Sequence, residues 1–156
     1  TRRMKFKWHL LFGFTISYIL IQFFNFTLSA GLTIFIASWI IDIDHYFWYL
    51  FELKDKNPFK ALRWYNKNID RWFAISFKER EKFKRGIFVF HSIGFWILLF
   101  TLSSLHPIFL WMLIGIGIHM AADFPHLIYH REPLYNKIFL SAVIRRNKNK
   151  KSLREL

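Results

Sequence analysis

The chain has 156 residues, 54% of them hydrophobic, yet its formal net charge is +13. These two values conflict in a soluble protein and coexist when apolar blocks face lipid and the charges sit in the connections. There is no cysteine, which excludes disulfides and thiolate metal sites and leaves histidine, carboxylate or water for any bound cation.

Taken in order, the chain opens on Arg2, Arg3, Lys5 and Lys7 and then carries no lysine or arginine from Trp8 to Leu53. A second such region runs from Gly86 to His130. Each is about 45 residues long, enough for two spans of roughly 20 residues and a turn. Gln22 and the stretch Asn25 to Ser29 interrupt the first region. Thr101, Ser103, Ser104, His106 and Pro107 interrupt the second. The pattern predicts an all-α polytopic membrane protein with four transmembrane helices in two hairpins, at about 8–24, 27–46, 87–103 and 107–124. Long apolar runs without period-two alternation do not suit a membrane barrel. Leu28-Ser29-Ala30 would make a poor signal-peptidase site, so the first block is expected to be an uncleaved helix.

Between the hairpins lies a basic insert, about 57–85. Asn57-Pro58 suits a helix start. Phe59, Leu62, Tyr65, Ile69, Trp72 and Phe73 then recur at helical spacing against a basic opposite face. This predicts an amphipathic helix lying on the membrane surface. Residues 1–140 read as one helical membrane domain and 141–156 as a basic tail. Its run Arg145-Arg146-Asn147-Lys148-Asn149-Lys150-Lys151 is expected to be solvated and to touch anionic lipid headgroups rather than nucleic acid. Lysine and arginine are confined to the N-terminus, the insert and the tail. Each hairpin returns the chain to its starting side, so the positive-inside rule places both termini and the insert in the cytoplasm, at an inner or plasma membrane.

Asp42, Asp44 and Asp123 lie within the apolar blocks or at their inner ends. A carboxylate at membrane depth costs several kcal/mol unless paired, so each marks a candidate site. In the expected topology His9, Asp42, Asp44, His45, His91, His119 and Asp123 all fall at the cytoplasmic face, whereas His106 falls in an outer turn. His119 and Asp123 are spaced i, i+4 and share a helix face. Asp42 and His45, spaced i, i+3, are expected to do the same. His126 and His130 continue the stripe of His119, but Pro125 is expected to kink or end the helix before them. Carboxylates at the negative end of a helix dipole suggest a compensating cation. Imidazole with carboxylate is the usual ligand set for zinc, manganese or iron where thiolate is absent. A proton relay and a structural hydrogen-bond network are the other readings of the cluster.

Four elements occur in a distinctive order: Trp8-His9-Leu10-Leu11-Phe12-Gly13, Ile41-Asp42-Ile43-Asp44-His45, Phe90-His91-Ser92, and Gly117-Ile118-His119-Met120-Ala121-Ala122-Asp123. Over residues 8–124 the chain resembles the YdjM-like family of membrane-bound metal-dependent hydrolases. It departs from that pattern at Ile41, where proline is usual, and at Lys84-Arg85-Gly86, where His-Arg-Gly is usual.

The resemblance implies a hydrolase, and headgroup depth suggests a phosphate-bearing lipid or another anionic amphiphile as substrate. One or two divalent ions, zinc or manganese, would be held by Asp42, His45, His91, His119 and Asp123, with His9 as a ligand or behind one. Asp44 is the expected general base and Arg85 the expected phosphate-binding residue. The rival expectation is a non-enzymatic membrane protein: an ion or proton transporter, or a helix-packing subunit. A transporter should continue its polar path outward. The outer halves of these helices offer only Thr15, Ser17, Thr33 and Ser38.

Overall fold

The computed structural model describes residues 6–133 and 135–152. The first hairpin comprises α1 (Phe6–Phe24) and α2 (Leu28–Ile40), followed directly by α3 (Ile43–Leu53). The insert forms α4 (Pro58–Ala74) and α5 (Phe77–Arg80). The second hairpin comprises α6 (Ile93–Leu102) and α7 (Ile108–Tyr129), and α8 (Tyr135–Ile138) and α9 (Leu140–Asn147) close the described chain. Among the described residues the fold is all-α, as expected, and an isolated bridge joins Phe83 to Lys151.

Two helical stretches, Leu28–Leu53 and Ile108–Tyr129, are long and apolar enough to cross a membrane. Trp8–Phe24 and Ile93–Leu102 are shorter apolar helices. The expectation of four full spans is therefore met by two. The third span is the clearest departure. Residues 84–92 form an irregular segment and turn, and α6 begins only at Ile93, where Ser92 Oγ accepts from Phe95 N. The ten residues of α6 rise about 15 Å, roughly half a hydrocarbon core. Helix is given up here because Asp44 Oδ2 holds the Phe90 amide at 2.6 Å and the His91 ring at 3.2 Å.

The span expected at 27–46 is also interrupted. The amides of Asp42, Asp44 and His45 bond three residues back, to Trp39, Ile41 and Asp42. This tight turn breaks the helix at Asp42. Asp44 consequently lies in the first turn of α3, where the dipole favours a carboxylate, and not at an unfavourable C-terminus. Conversely α7 runs through Pro125 as far as Tyr129. It ends in a Schellman motif, with Glu132 N bonded to Leu127 O, Arg131 N to Ile128 O and Arg131 at φ 53°. The motif turns Glu132 back toward the insert.

The packing that positions the site is the crossing of α2 and α7, with α1 against both. Ile41, Leu99, Ile116 and Met120 form the core behind it. Small residues allow the close approach. A Cβ at Gly115 would meet Ile34 O at 2.4 Å and Ala37 Cβ at 2.8 Å, whereas one at Gly117 would meet nothing within 4 Å. Gly115→Ala is expected to force the helices apart and to destabilise by about 1–3 kcal/mol, with loss of the contact one turn on between His119 and Ser38. Gly117→Ala is expected to be neutral. Thermal unfolding of both variants in detergent checks this, and equal melting temperatures would refute the crossing as drawn.

The tail is not a free solvated terminus over its described length. Val143 and Asn147 are buried. Lys84 N bonds to Lys151 O and Lys151 N to Lys82 O, so the chain docks against residues 82–84.

Candidate metal centre

Four elements bring five donors together: His9 from α1, Asp42 from the α2–α3 turn, His91 from the segment before α6, and His119 with Asp123 from α7. They form two overlapping groups, His9–His119–Asp123 and Asp42–His91–His119. Within each group the ligand atoms lie within 4.8 Å of one another.

The orientation of each ring follows from its outer partner. His119 Nδ1 donates to Ser38 O at 2.9 Å, so the proton sits on Nδ1 and Nε2 presents a lone pair. That Nε2 is buried and makes no hydrogen bond. It lies 3.6 Å from Asp42 Oδ1 and 3.6 Å from Asp123 Oδ2, and His9 Nε2 lies 3.5 Å from Asp123 Oδ1. These separations are too long for hydrogen bonds, which fall near 2.7–3.2 Å. They match two donors sharing one ion: bonds of about 2.1 Å at a tetrahedral angle put donor atoms roughly 3.4 Å apart. The His9 and His119 rings stack with centroids 4.4 Å apart. The donors therefore fit a divalent cation by chemistry and by spacing.

Asp44 has a different place from the one expected. Its Oδ2 accepts from His91 Nδ1 at 3.2 Å and from Phe90 N at 2.6 Å, and its side chain is only 4% exposed. A carboxylate behind an imidazole fixes the tautomer and raises the basicity of the far nitrogen. The geometry makes Asp44 a positioning residue for His91 rather than a base facing substrate. Asp44→Asn is expected to weaken metal binding by about 10–100-fold without abolishing it, as read by titration with a competing chelator. Unchanged affinity would remove the role.

His45 lies outside both groups. Its ring stacks on Phe88 at 4.3 Å, with the His91 ring 5.7 Å away. The chain tightens at Asp42, where amides bond three residues back, and His45 stacks on Phe88, so the i, i+3 spacing of Asp42 and His45 does not place both in one donor group. His9 is instead a full member of a donor group. Among the other histidines, His106 caps α7 through Ile108 N, and His126 and His130 pack on Phe73.

Beside the donors is a cavity of about 670 Å³. His9, Asp42 and Asp123 line one wall, and α4 forms the opposite one. Asn57 caps α4 by accepting from the amides of Phe59 and Lys60. Its Trp64, Tyr65, Ile69 and Trp72 face the cavity, whereas Phe59 is 74% exposed. Most of the apolar face expected to lie on lipid thus covers the site. Tyr65 Oη donates to His45 O at 2.8 Å. Burial, and behind it the Asp42 carboxylate, push the Tyr65 phenol well above its ordinary range, so it stays a donor.

Arg85 lines the same cavity but is held inside a charge network. It pairs with Glu132 and with Glu81, the latter at 2.9 Å. Arg80 pairs with Glu132 and Arg146 with Glu81. Asn147 clasps the Arg85 backbone, accepting from its amide at 2.9 Å and donating to its carbonyl at 2.8 Å. Burial raises the Glu81 carboxyl, but the Arg85 and Arg146 guanidiniums outweigh it and hold the group below the usual carboxylate range. Its contribution to stability is therefore present above that range and lost as pH falls through the depressed value. Glu132, Asn147 and the aromatic wall were not foreseen. The one available signal was Glu132, a carboxylate beside Arg131 at the start of the basic C-terminal segment.

No family model, curated protein or solved structure matches the chain, and the site stands on its own geometry.

Proposed function

We propose that the protein is a membrane-embedded metal-dependent hydrolase of the YdjM-like kind, acting at the cytoplasmic membrane surface on a phosphate-bearing lipid or another anionic amphiphile. The observation that carries the reading is His119 Nε2. It is a buried lone pair set 3.6 Å from each of two carboxylates, at the edge of a cavity.

Membrane insertion is supported by the surface. Only 39% and 28% of the two long apolar windows are buried within the protein, unlike the core helix of a soluble domain. Leu11, Phe14 and Tyr18 on α1, and Ile97 and Phe100 on α6, are exposed, which extends the apolar surface to the shorter helices. The confinement of lysine and arginine to the N-terminus, the insert and the tail supports the cytoplasmic sidedness.

His9, Asp42, His91, His119 and Asp123 would hold zinc or manganese, as one ion or as two, with the single lone pair of His119 Nε2 given to one ion only. When bound, such an ion supplies Lewis-acid polarisation of a phosphoryl or carbonyl oxygen and acidifies water. Asp42 and Asp123 are the carboxylate donors that line the cavity, at 25% and 17% exposure, and are within reach of a proton there. Arg85, at the rim, is already paired with Glu132 and Glu81, and the net charge of +13 favours an anionic group there through field rather than through a vacant guanidinium.

The test is elemental analysis of the purified protein, followed by phosphate release from phosphatidylcholine vesicles containing lysophosphatidate, with vesicles of phosphatidylcholine alone as control. Bound zinc or manganese with release from the anionic vesicles is the expected result. Metal bound without hydrolysis of either would remove the enzymatic reading and favour a transporter or structural role.

A further inference from the structure

We propose that the cavity under α4 is a chamber for the apolar chain of the substrate, and that the substrate is a single-chain phosphate amphiphile. The identity of the headgroup rests on the hydrolase reading above; the chain site rests on the cavity alone. An amphipathic helix normally buries its apolar face against a packed core or lipid. Here that face borders open space of about 670 Å³. The space lies within the range of about 300–1,000 Å³ that encloses a ligand.

The chemistry of the walls is graded. Trp48, Trp64 and Ile69 line the apolar part, Asp42 and Asp123 stand at the metal wall, and Arg85 stands in the basic network. An occupant that satisfies all three has an anionic head beside the donors and one slender chain running along the indoles. The volume accommodates a head and one chain, and not the paired long chains of a bilayer phospholipid. Pro58 and Leu62 line the cavity while being exposed, next to exposed Phe59. The chamber therefore opens at the start of α4, beside an apolar surface from which a chain can enter. Ala61 is buried in the same wall, where a larger side chain would intrude on the space.

The experiment uses the full chain in phosphatidylcholine nanodiscs and decyl phosphate brominated at its chain end. Bromine quenches indole fluorescence on contact, and four of the seven tryptophans, Trp39, Trp48, Trp64 and Trp72, line the cavity. The expected result is saturable quenching that unbrominated decyl phosphate competes away and that brominated decanol does not reproduce. Ala61→Phe should weaken it at least about tenfold while metal content and helicity stay unchanged. Trp64→Ala should lower the amplitude and shift the tightest binding to a longer chain. Quenching that never saturates, or that is equal in wild type and both variants, would reflect partitioning into lipid and overturn the chamber. Saturable binding without any hydrolysis by metal-loaded protein keeps the chamber and removes the hydrolase. Hydrolysis of a water-soluble phosphate monoester with no saturable quenching does the reverse.

Discussion

Replacing His119 with alanine is expected to abolish metal binding, with the largest effect of any single substitution at the site. His119 is the one residue common to both donor groups. Its Nε2 faces Asp42 and Asp123 at equal distance, and its Nδ1 is anchored to the α2 backbone at Ser38. Removing it takes a donor from each group and leaves Asp42 and Asp123 without the imidazole between them. Affinity should fall by well over the roughly 10–100-fold that follows loss of an outer partner. Asp42→Asn and Asp123→Asn each remove one carboxylate and should be intermediate. The consequence for stability follows from linkage. A ligand that binds only the folded state at 100 times its Kd adds about 2.7 kcal/mol. Added zinc or manganese should therefore raise the melting temperature of the wild type and leave that of His119→Ala unchanged. Elemental analysis and thermal unfolding, each with and without chelator, check both parts. A variant that keeps full metal content would show that the donors are a hydrogen-bond cluster instead.

The convergence of these donors was legible because it follows from topology. Neither apolar region, Trp8 to Leu53 or Gly86 to His130, contains lysine or arginine, and each folds back as a hairpin, so the starts of α1 and α6 and the ends of α2 and α7 are expected at one end of the bundle. The pair His119 and Asp123 needed only the period of one helix. What was not legible depends on departures from regular helix. The chain tightens at Asp42 between α2 and α3, and His45 packs on Phe88 outside the donor groups. The non-helical segment before α6 exists because Asp44, 47 residues earlier, holds His91. The turn at Asp42 is not marked by glycine or proline, and in the segment before α6 only Gly86 hints at irregular backbone. The role of Asp44 was misread for the same reason: a carboxylate that faces a neighbouring element looks, in sequence, like one that faces the cavity. Arg85 was recognised as important from its place beside the site. Its engagement with Glu132 and Glu81 required the fold of α5, the Schellman turn after α7 and the docking of α9.

Glu132 makes the second strong prediction, and it concerns folding rather than metal. Its side chain is 8% exposed, and the guanidinium side chains of Arg80 and Arg85 that it pairs with are 8% and 7% exposed. Trp72 Nε1 also donates to it at 3.0 Å. A carboxylate between two buried cations is costly to remove, because the cations stay behind in a low-dielectric setting. Deleting one partner of a buried pair costs about 3–5 kcal/mol. After Glu132→Ala, Arg85 retains Glu81, but Arg80 retains only the His130 carbonyl, at 3.3 Å. The loss should therefore fall mainly on Arg80, and Glu132→Ala should destabilise by about that 3–5 kcal/mol. Adding Arg80→Met should recover part of the loss, since it removes the stranded charge while keeping the packing on Phe73 and Phe77. Glu132→Gln preserves an acceptor for Trp72 but not the charge, so it should stay close to the alanine variant. Denaturant unfolding in detergent reads all three. If Glu132→Ala costs less than about 1 kcal/mol, as exposed ion pairs do, the network is hydrated and Arg85 is released to bind a phosphate directly.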